Sequence, residues 1–210
     1  MEKKNKCVIV GGASIPNYSK VMKYLSPDDY YIFCDGGLYH LEKMGVDPDL
    51  IVGDFDSFVG EVPKDVEVIR LPCEKDDTDS FFAAKEGLRR GFKEFVLIGV
   101  LGDRIDHTLG NVSMMYMLKE NNASGIMIDN FSEIELIGSE PTYVDSKFSY
   151  FSIINLDGTA RGITVENARY PLDNAEISWS YQYGVSNKTI NDEPAKITLK
   201  EGTALLIKVF

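Results

Sequence analysis

The chain has 210 residues, 44% hydrophobic and 26% charged, proportions of a globular protein long enough for one large domain or two small ones. Its formal net charge is −11, from 33 acidic and 22 basic side chains. Such acidity repels phosphate polymers and anionic lipid, so nucleic-acid binding and adhesion to a membrane surface are excluded as expectations. The excess is local: Asp28–Asp79 holds 15 acids and 4 bases, a balance of −11, and the rest of the chain holds 18 of each. No apolar run approaches the roughly 18 residues of a membrane span, and no signal-peptide core is evident. The three cysteines, Cys7, Cys34 and Cys73, show no CxxC spacing, so neither a zinc knuckle nor a disulfide framework is indicated. A reducing cytoplasm is the expected setting.

In chain order, the first 130 residues alternate between apolar runs and helical patterns. Cys7–Val10 ends at Gly11-Gly12. Tyr30–Cys34 ends at Asp35-Gly36-Gly37, Leu50–Val52 at Gly53-Asp54, Val66–Leu71 at Pro72, and Phe95–Val100 at Leu101-Gly102. Unbroken apolar runs closed by Gly or Pro predict strands buried on both faces of a parallel sheet. Helices are predicted over Asp35–Met44, Thr78–Arg90, with Gly91 as a stop, and Asp106–Glu120. Repeated β-α order implies a doubly wound α/β sheet. Beyond Ser132 the pattern changes to β-branched and aromatic segments: Ser149–Leu156, Gly162–Glu166, Ala175–Trp179, Lys196–Leu199 and Ala204–Phe210. These predict an antiparallel sandwich. The expected organisation is an α/β domain with a mostly parallel sheet over 1–132 and an all-β sandwich over 133–210.

Aspartates gather at the predicted strand ends: Asp35 after the second, Asp54 and Asp56 after the third, and Asp76, Asp77 and Asp79 ahead of a helix. Ligands of open α/β sheets bind beyond the carboxyl ends of strands. Carboxylates converging there repel one another unless a cation intervenes, and oxygen-only donors favour Mg²⁺. Alternate strand residues share a face, so Asp54 and Asp56 would point at one metal. The competing explanation for any one of them is a turn, and Asp28, Asp29, Asp47 and Asp49 read as solvated turn acids. A second strand–helix junction, Gly99-Val100-Leu101-Gly102-Asp103-Arg104-Ile105-Asp106-His107-Thr108, has glycines that allow close backbone approach and an Arg fork for phosphate. It is neither a Walker A loop nor a dinucleotide fingerprint. His107 alone reads as a hydrogen-bonded structural residue, His40 as a surface residue and Trp179 as a core or interface residue. The chemistry these parts allow is phosphoryl-group transfer.

Taken together, the motifs resemble the thiamin pyrophosphokinase family over essentially the whole chain. The matching stretches are Asp35-Gly36-Gly37, Pro48 through Ser57, Lys75-Asp76-Asp77-Thr78-Asp79, Gly102 through Leu109, Tyr170-Pro171-Leu172 and Gly184-Val185-Ser186-Asn187. The resemblance implies transfer of the terminal diphosphate of ATP to the thiamin hydroxyethyl group, giving AMP and thiamin diphosphate. It further implies a homodimer with active sites at the subunit interface. Carried over residue by residue, Asp54, Asp56 and Asp79 look like Mg²⁺ ligands, with Asp35 and Asp76 as outer or additional ones. Lys75, Gly102, Arg104 and His107 look like the nucleotide pocket, and Asp106 like a helper of the substrate hydroxyl or thiamin ring. Tyr170 would stack on thiamin, while Ser186 and Asn187 would hydrogen-bond its aminopyrimidine. Two departures stand out: Lys188, where relatives often carry an acid, and Asp103, one more negative charge in the glycine-rich turn. The alternatives are a diphosphokinase of the same fold acting on a hydroxymethylpterin, a non-catalytic thiamin or nucleotide binder, and a Mg²⁺-dependent phosphohydrolase.

Overall fold

The first apolar runs become strands because each is bracketed by residues that end it. β1 (Cys7–Val10), β2 (Tyr30–Cys34) and β3 (Leu50–Gly53) are buried along their whole length. The structure, a computed structural model, describes residues 6–74 and 76–210. Lys75, expected near the phosphates, lies outside the described residues. The chain divides into two units, one ending at Asn130 and one spanning Phe131–Phe210.

In the first unit a short helix α1 (Tyr18–Val21) follows β1, its start capped by the Asn17 side chain on Ser19 N. A 3-10 turn, Asp35–His40, runs into α2 (Leu41–Met44), which Gly45 ends in the left-handed region at φ 62°. β4 (Glu67–Arg70) comes next; the expectation of burial on both faces fails for it, because its Glu and Arg ends are exposed at the sheet edge. Thr78 caps α3 (Asp79–Arg89), accepting from Phe81 N at 3.3 Å. β5 (Glu94–Ile98), α4 (Ile105–Glu120) and β6 (Ser124–Ile128) complete the unit. All pairings are parallel, in the order β4-β3-β2-β1-β5-β6. Chain order therefore reverses between β1 and β5, the switch point at which α/β sheets open a crevice.

Two acids and one histidine differ from expectation. Asp29 is fully buried, accepting from Ser26 N at 2.8 Å and facing Lys6 at 3.7 Å, so it is not a solvated acid. Asp49 accepts from Tyr31 N at 2.9 Å, which ties the turn before β3 to β2. His40 is buried: Nε2 meets the Ala13 carbonyl at 3.0 Å and Nδ1 meets the Tyr18 hydroxyl at 2.7 Å. Burial lowers its pKa.

The second unit is antiparallel. β7 (Ser132–Ile137), β8 (Thr142–Val144), β9 (Tyr150–Ile154), β10 (Thr159–Glu166), β11 (Leu172–Ser178), β12 (Ala195–Thr198) and β13 (Ala204–Val209) form it. β7, β13 and β9 adjoin in that order, facing a sheet of order β11-β10-β12-β8. Phe151, Ile153 and Leu206 from one side and Ile163, Ile177 and Ile197 from the other share one core, which makes the unit a sandwich. Lys208 on β13 is buried against Glu133 and Glu135 of β7; burial pulls its pKa down, but the two carboxylates outweigh it and the net shift is upward. No helix among the described residues is long and apolar enough to cross a membrane.

Candidate active site

A cavity of about 290 Å³ opens at the carboxyl ends of β1, β2 and β5. Its floor is backbone. Ala13 N donates to the Gly99 carbonyl at 2.8 Å, and a methyl group on Gly11 would sit 2.5 Å from that same oxygen. Any side chain at Gly11 would part the two strand-end loops. Asp103 adds a second clasp: its carboxylate accepts Ser14 N at 2.8 Å. The extra negative charge in the glycine-rich turn thus holds the loop that follows β1.

The acidic side of the site is built around Asp35, which is 2% exposed. Its two carboxylate oxygens accept the backbone N–H groups of Ser57, at 2.9 Å, and Phe58, at 3.1 Å. A methyl group on Gly53 would lie 2.7 Å from the Asp35 Cβ, so only glycine lets β3 pass this close. Beyond Gly53 the chain leaves the strand, and Phe55 adopts φ 62°. Asp54 and Asp56 therefore converge through a turn, not through strand alternation as expected. One carboxylate oxygen from each of Asp35, Asp54 and Asp56 lies within 4.8 Å of the other two. Three like charges this close are unfavourable unless offset. Ligands about 2.0–2.6 Å from a hard divalent cation lie at most roughly 4–5 Å apart, so this oxygen-only set fits one.

Asp79 opens α3 and lines the same cavity with its neighbours Thr78 and Ser80. Asp76 is exposed in the preceding turn, and Asp77 pairs with Lys85 at 2.7 Å. Gly102, Arg104 and His107 line the same cavity. Asp106 is gripped by Arg104, with Nη2–Oδ2 at 2.5 Å and Nε–Oδ1 at 3.2 Å, and this hydrogen bonding holds its carboxyl down to about 2. Asn111 had no signal in the sequence. It is buried, donates to the Val100 carbonyl at 2.7 Å and accepts from the Ser80 hydroxyl at 2.8 Å. It joins the first turn of α3 to the loop after β5. Asn111 lies four residues beyond His107, one helical turn along the same side of α4.

The sandwich carries its own cavity, about 490 Å³, lined in part by Tyr170, Leu172, Tyr183, Ser186 and Asn187. Tyr170 is 58% exposed. Asn187 is buried, and its amide is committed to backbone: Oδ1 accepts Tyr170 N and Lys188 N, and Nδ2 donates to the Tyr170 carbonyl. Ser186 sits at φ 61°, its N–H on the Ser152 hydroxyl at 3.0 Å. Lys188 places its ammonium 4.3 Å from the centre of the Tyr150 ring. Trp179 is 64% exposed and does not belong to the core.

Open α/β sheets bind ligands at such a switch point, and carboxylates rimming it suit an α/β protein whose ligand is a phosphate held through a cation. Comparison with known proteins narrows the class. Residues 21–127 match the family described as "Thiamin pyrophosphokinase, catalytic domain", and residues 141–204 match "Thiamin pyrophosphokinase, vitamin B1 binding domain". The chain belongs to the thiamin pyrophosphokinase family. It is 26% identical over 192 residues to the thiamine pyrophosphokinase of Bacillus subtilis (strain 168), covering 88% of this chain and 89% of that one. The crystal structure of thiamine pyrophosphokinase from Bacillus subtilis superposes with a TM-score of 0.87 at 24% identity, covering 98% of this chain and 99% of that one. That of thiamin pyrophosphokinase from Geobacillus thermodenitrificans does so at 0.81 and 26% identity, covering 98% of each chain.

Proposed function

We propose that this chain uses ATP as its magnesium complex to diphosphorylate thiamin. The thiamin hydroxyl oxygen attacks the β-phosphorus in line, the bond to the α–β bridging oxygen breaks, AMP leaves, and the hydroxyl proton passes to solvent. The carrying observation is the set of Asp35, Asp54 and Asp56 oxygens within 4.8 Å, beside a glycine-floored cavity, in a member of this family. Asp54 and Asp56, with Asp35 and Asp79 around them, would hold Mg²⁺, with Asp76 as an outer acid. The bound cation would offset phosphate charge.

The rest falls to the chain's own groups. Gly102, Arg104 and His107 face the nucleotide, and an Arg fork suits phosphate oxygens. Tyr170 offers an aromatic face to a cationic ring, Ser186 offers a hydroxyl, and Asn187 holds Tyr170 in place. Transfer of this kind runs on positioning and charge, so no strong base is required. A homodimer with active sites at the subunit interface and a cytoplasmic setting belong to the same reading.

The test is AMP release from ATP with thiamin or a hydroxymethylpterin as acceptor. Thiamin-dependent AMP, lost in Asp56→Asn with the circular dichroism spectrum unchanged, is the expected result. AMP release only with the pterin, or ATP hydrolysis without any acceptor, would replace this reading.

A further inference from the structure

The turn carrying Asp54 and Asp56 projects into solvent, with Val59 91% exposed. Its backbone passes through the left-handed region at Phe55, and its carboxylates repel. Asp56 is itself exposed, yet one of its carboxylate oxygens stays within 4.8 Å of oxygens of Asp35 and Asp54, so something must hold the turn in place. Asp35 does so from one side through Ser57 N and Phe58 N. Tyr39, four residues further along the same 3-10 turn, takes the next groups. Its hydroxyl donates to the Ser57 carbonyl at 3.2 Å and accepts from Val59 N at 3.1 Å. A hydroxyl supplies one donor and two acceptor sites, so both bonds form at once. The ring packs edge-on against Phe58, with centroids 4.9 Å apart. Asp35 and Tyr39 together bind residues 57, 58 and 59 by four hydrogen bonds, and Asp56 is joined to this segment through the Ser57 hydroxyl at 2.8 Å.

We propose that Tyr39 is a positioning residue for the cation-binding carboxylates: its hydroxyl keeps the turn folded so that Asp56 stays beside Asp35 and Asp54. This rests on reading that cluster as the cation site. Groups that orient metal ligands typically change metal affinity about 10–100-fold when removed, and a neutral, half-exposed hydroxyl belongs at the lower end.

Tyr39→Phe deletes the oxygen and keeps the ring on Phe58. The experiment is Mn²⁺ titration of the full chain without substrates, read by the loss of free-ion electron paramagnetic resonance signal. It is paired with the Mg²⁺ dependence of turnover and the thiamin KM. Expected are a Mn²⁺ dissociation constant and a Mg²⁺ half-saturation each raised about tenfold, with thiamin KM unchanged. Equal Mn²⁺ affinity in wild type and Tyr39→Phe would overturn the role of Tyr39 while leaving the cation site intact. A thiamin KM rising in step with the metal requirement would also overturn it, since that marks general loosening. Wild type that binds no Mn²⁺ would remove the cation site itself, and this role with it.

Discussion

Asn187 holds Tyr170 by the backbone at two points, accepting its N–H at 3.0 Å and donating to its carbonyl at 2.7 Å. An orienting role for Asn187 therefore stands beside the direct contact with the aminopyrimidine that the family resemblance implies. A side chain that fixes both backbone groups of a residue fixes where its ring stands. Asn187→Ala removes both bonds and leaves the Tyr170 N–H and carbonyl to find new partners. Binding of the thiamin ring is needed equally before and during reaction, so its loss raises KM more than it lowers kcat. The expected result is a thiamin KM about tenfold higher, near the effect of Tyr170→Ala. Steady-state kinetics and calorimetric thiamin binding check it; an unchanged KM would separate Asn187 from thiamin recognition.

His40 gives the fold a pH dependence of definite sign. Nε2 faces a carbonyl and must carry the proton, so Nδ1 accepts from the Tyr18 hydroxyl. The residue is folded in as a neutral ring, and burial lowers its pKa, with nearby Lys43 adding to the effect. A group with a depressed folded pKa stabilises the protein above its unfolded value. That stability is lost as pH falls through the folded value. The urea midpoint is expected to decline as pH drops below about 6.5. In His40→Gln the midpoint is lower but flat between about pH 5 and 6.5. Glu67 and Glu86, whose pKa values are lowered by Arg partners, titrate below that window. A slope retained in His40→Gln would assign it elsewhere.

The α/β half was legible where local chemistry decides structure. Cys7–Val10 and Tyr30–Cys34 are strands with the expected bounds, because each is an unbroken apolar run closed by glycine or Asp-Gly. β6, β7 and β8 were not expected. β7 reads Ser-Glu-Ile-Glu-Leu-Ile, and its acids make sense only beside Lys208, some 75 positions away. The site divides in the same way. Carboxylates at strand ends are visible as residue types at positions. The work of Asp35, Tyr39 and Asn111 depends on backbone groups and side chains 11–31 residues distant. His40 looked like a surface residue because its partners, at separations of 22 and 27, lie on other elements.

Asn111 should be a stability determinant as well as a link between α3 and the loop after β5. Asn111→Leu conserves volume but leaves the Val100 carbonyl and the Ser80 hydroxyl without their partner. A buried group left unsatisfied costs about 1–3 kcal/mol. The melting temperature is therefore expected to fall by about 2–12 °C, at roughly 2–4 °C per kcal/mol for a chain of this size. Ser80→Ala alone should cost less, because the bond to Val100 survives. Once Asn111 is Leu, adding Ser80→Ala should change little, and thermal melts of the four proteins test that coupling. Additive effects would mean that the two residues act separately.

Asp106 is the candidate whose role the geometry narrows most. A general base is most effective with a pKa near the working pH, and its removal typically slows reaction 10²–10⁴-fold. The Asp106 carboxyl is held down to about 2 by Arg104 hydrogen bonds, so it is a poor proton acceptor. On the proposed function, Asp106 would act on the reaction through Arg104, to which it is joined by two bonds. Asp106→Asn should therefore raise the KM for ATP about three- to tenfold, on the scale of one lost orienting contact. Arg104→Gln should do at least as much. The double variant should be no worse than Arg104→Gln, because the two side chains act as a unit. A hundredfold loss of kcat in Asp106→Asn, with ATP KM unchanged, would instead make Asp106 the group that takes the thiamin hydroxyl proton.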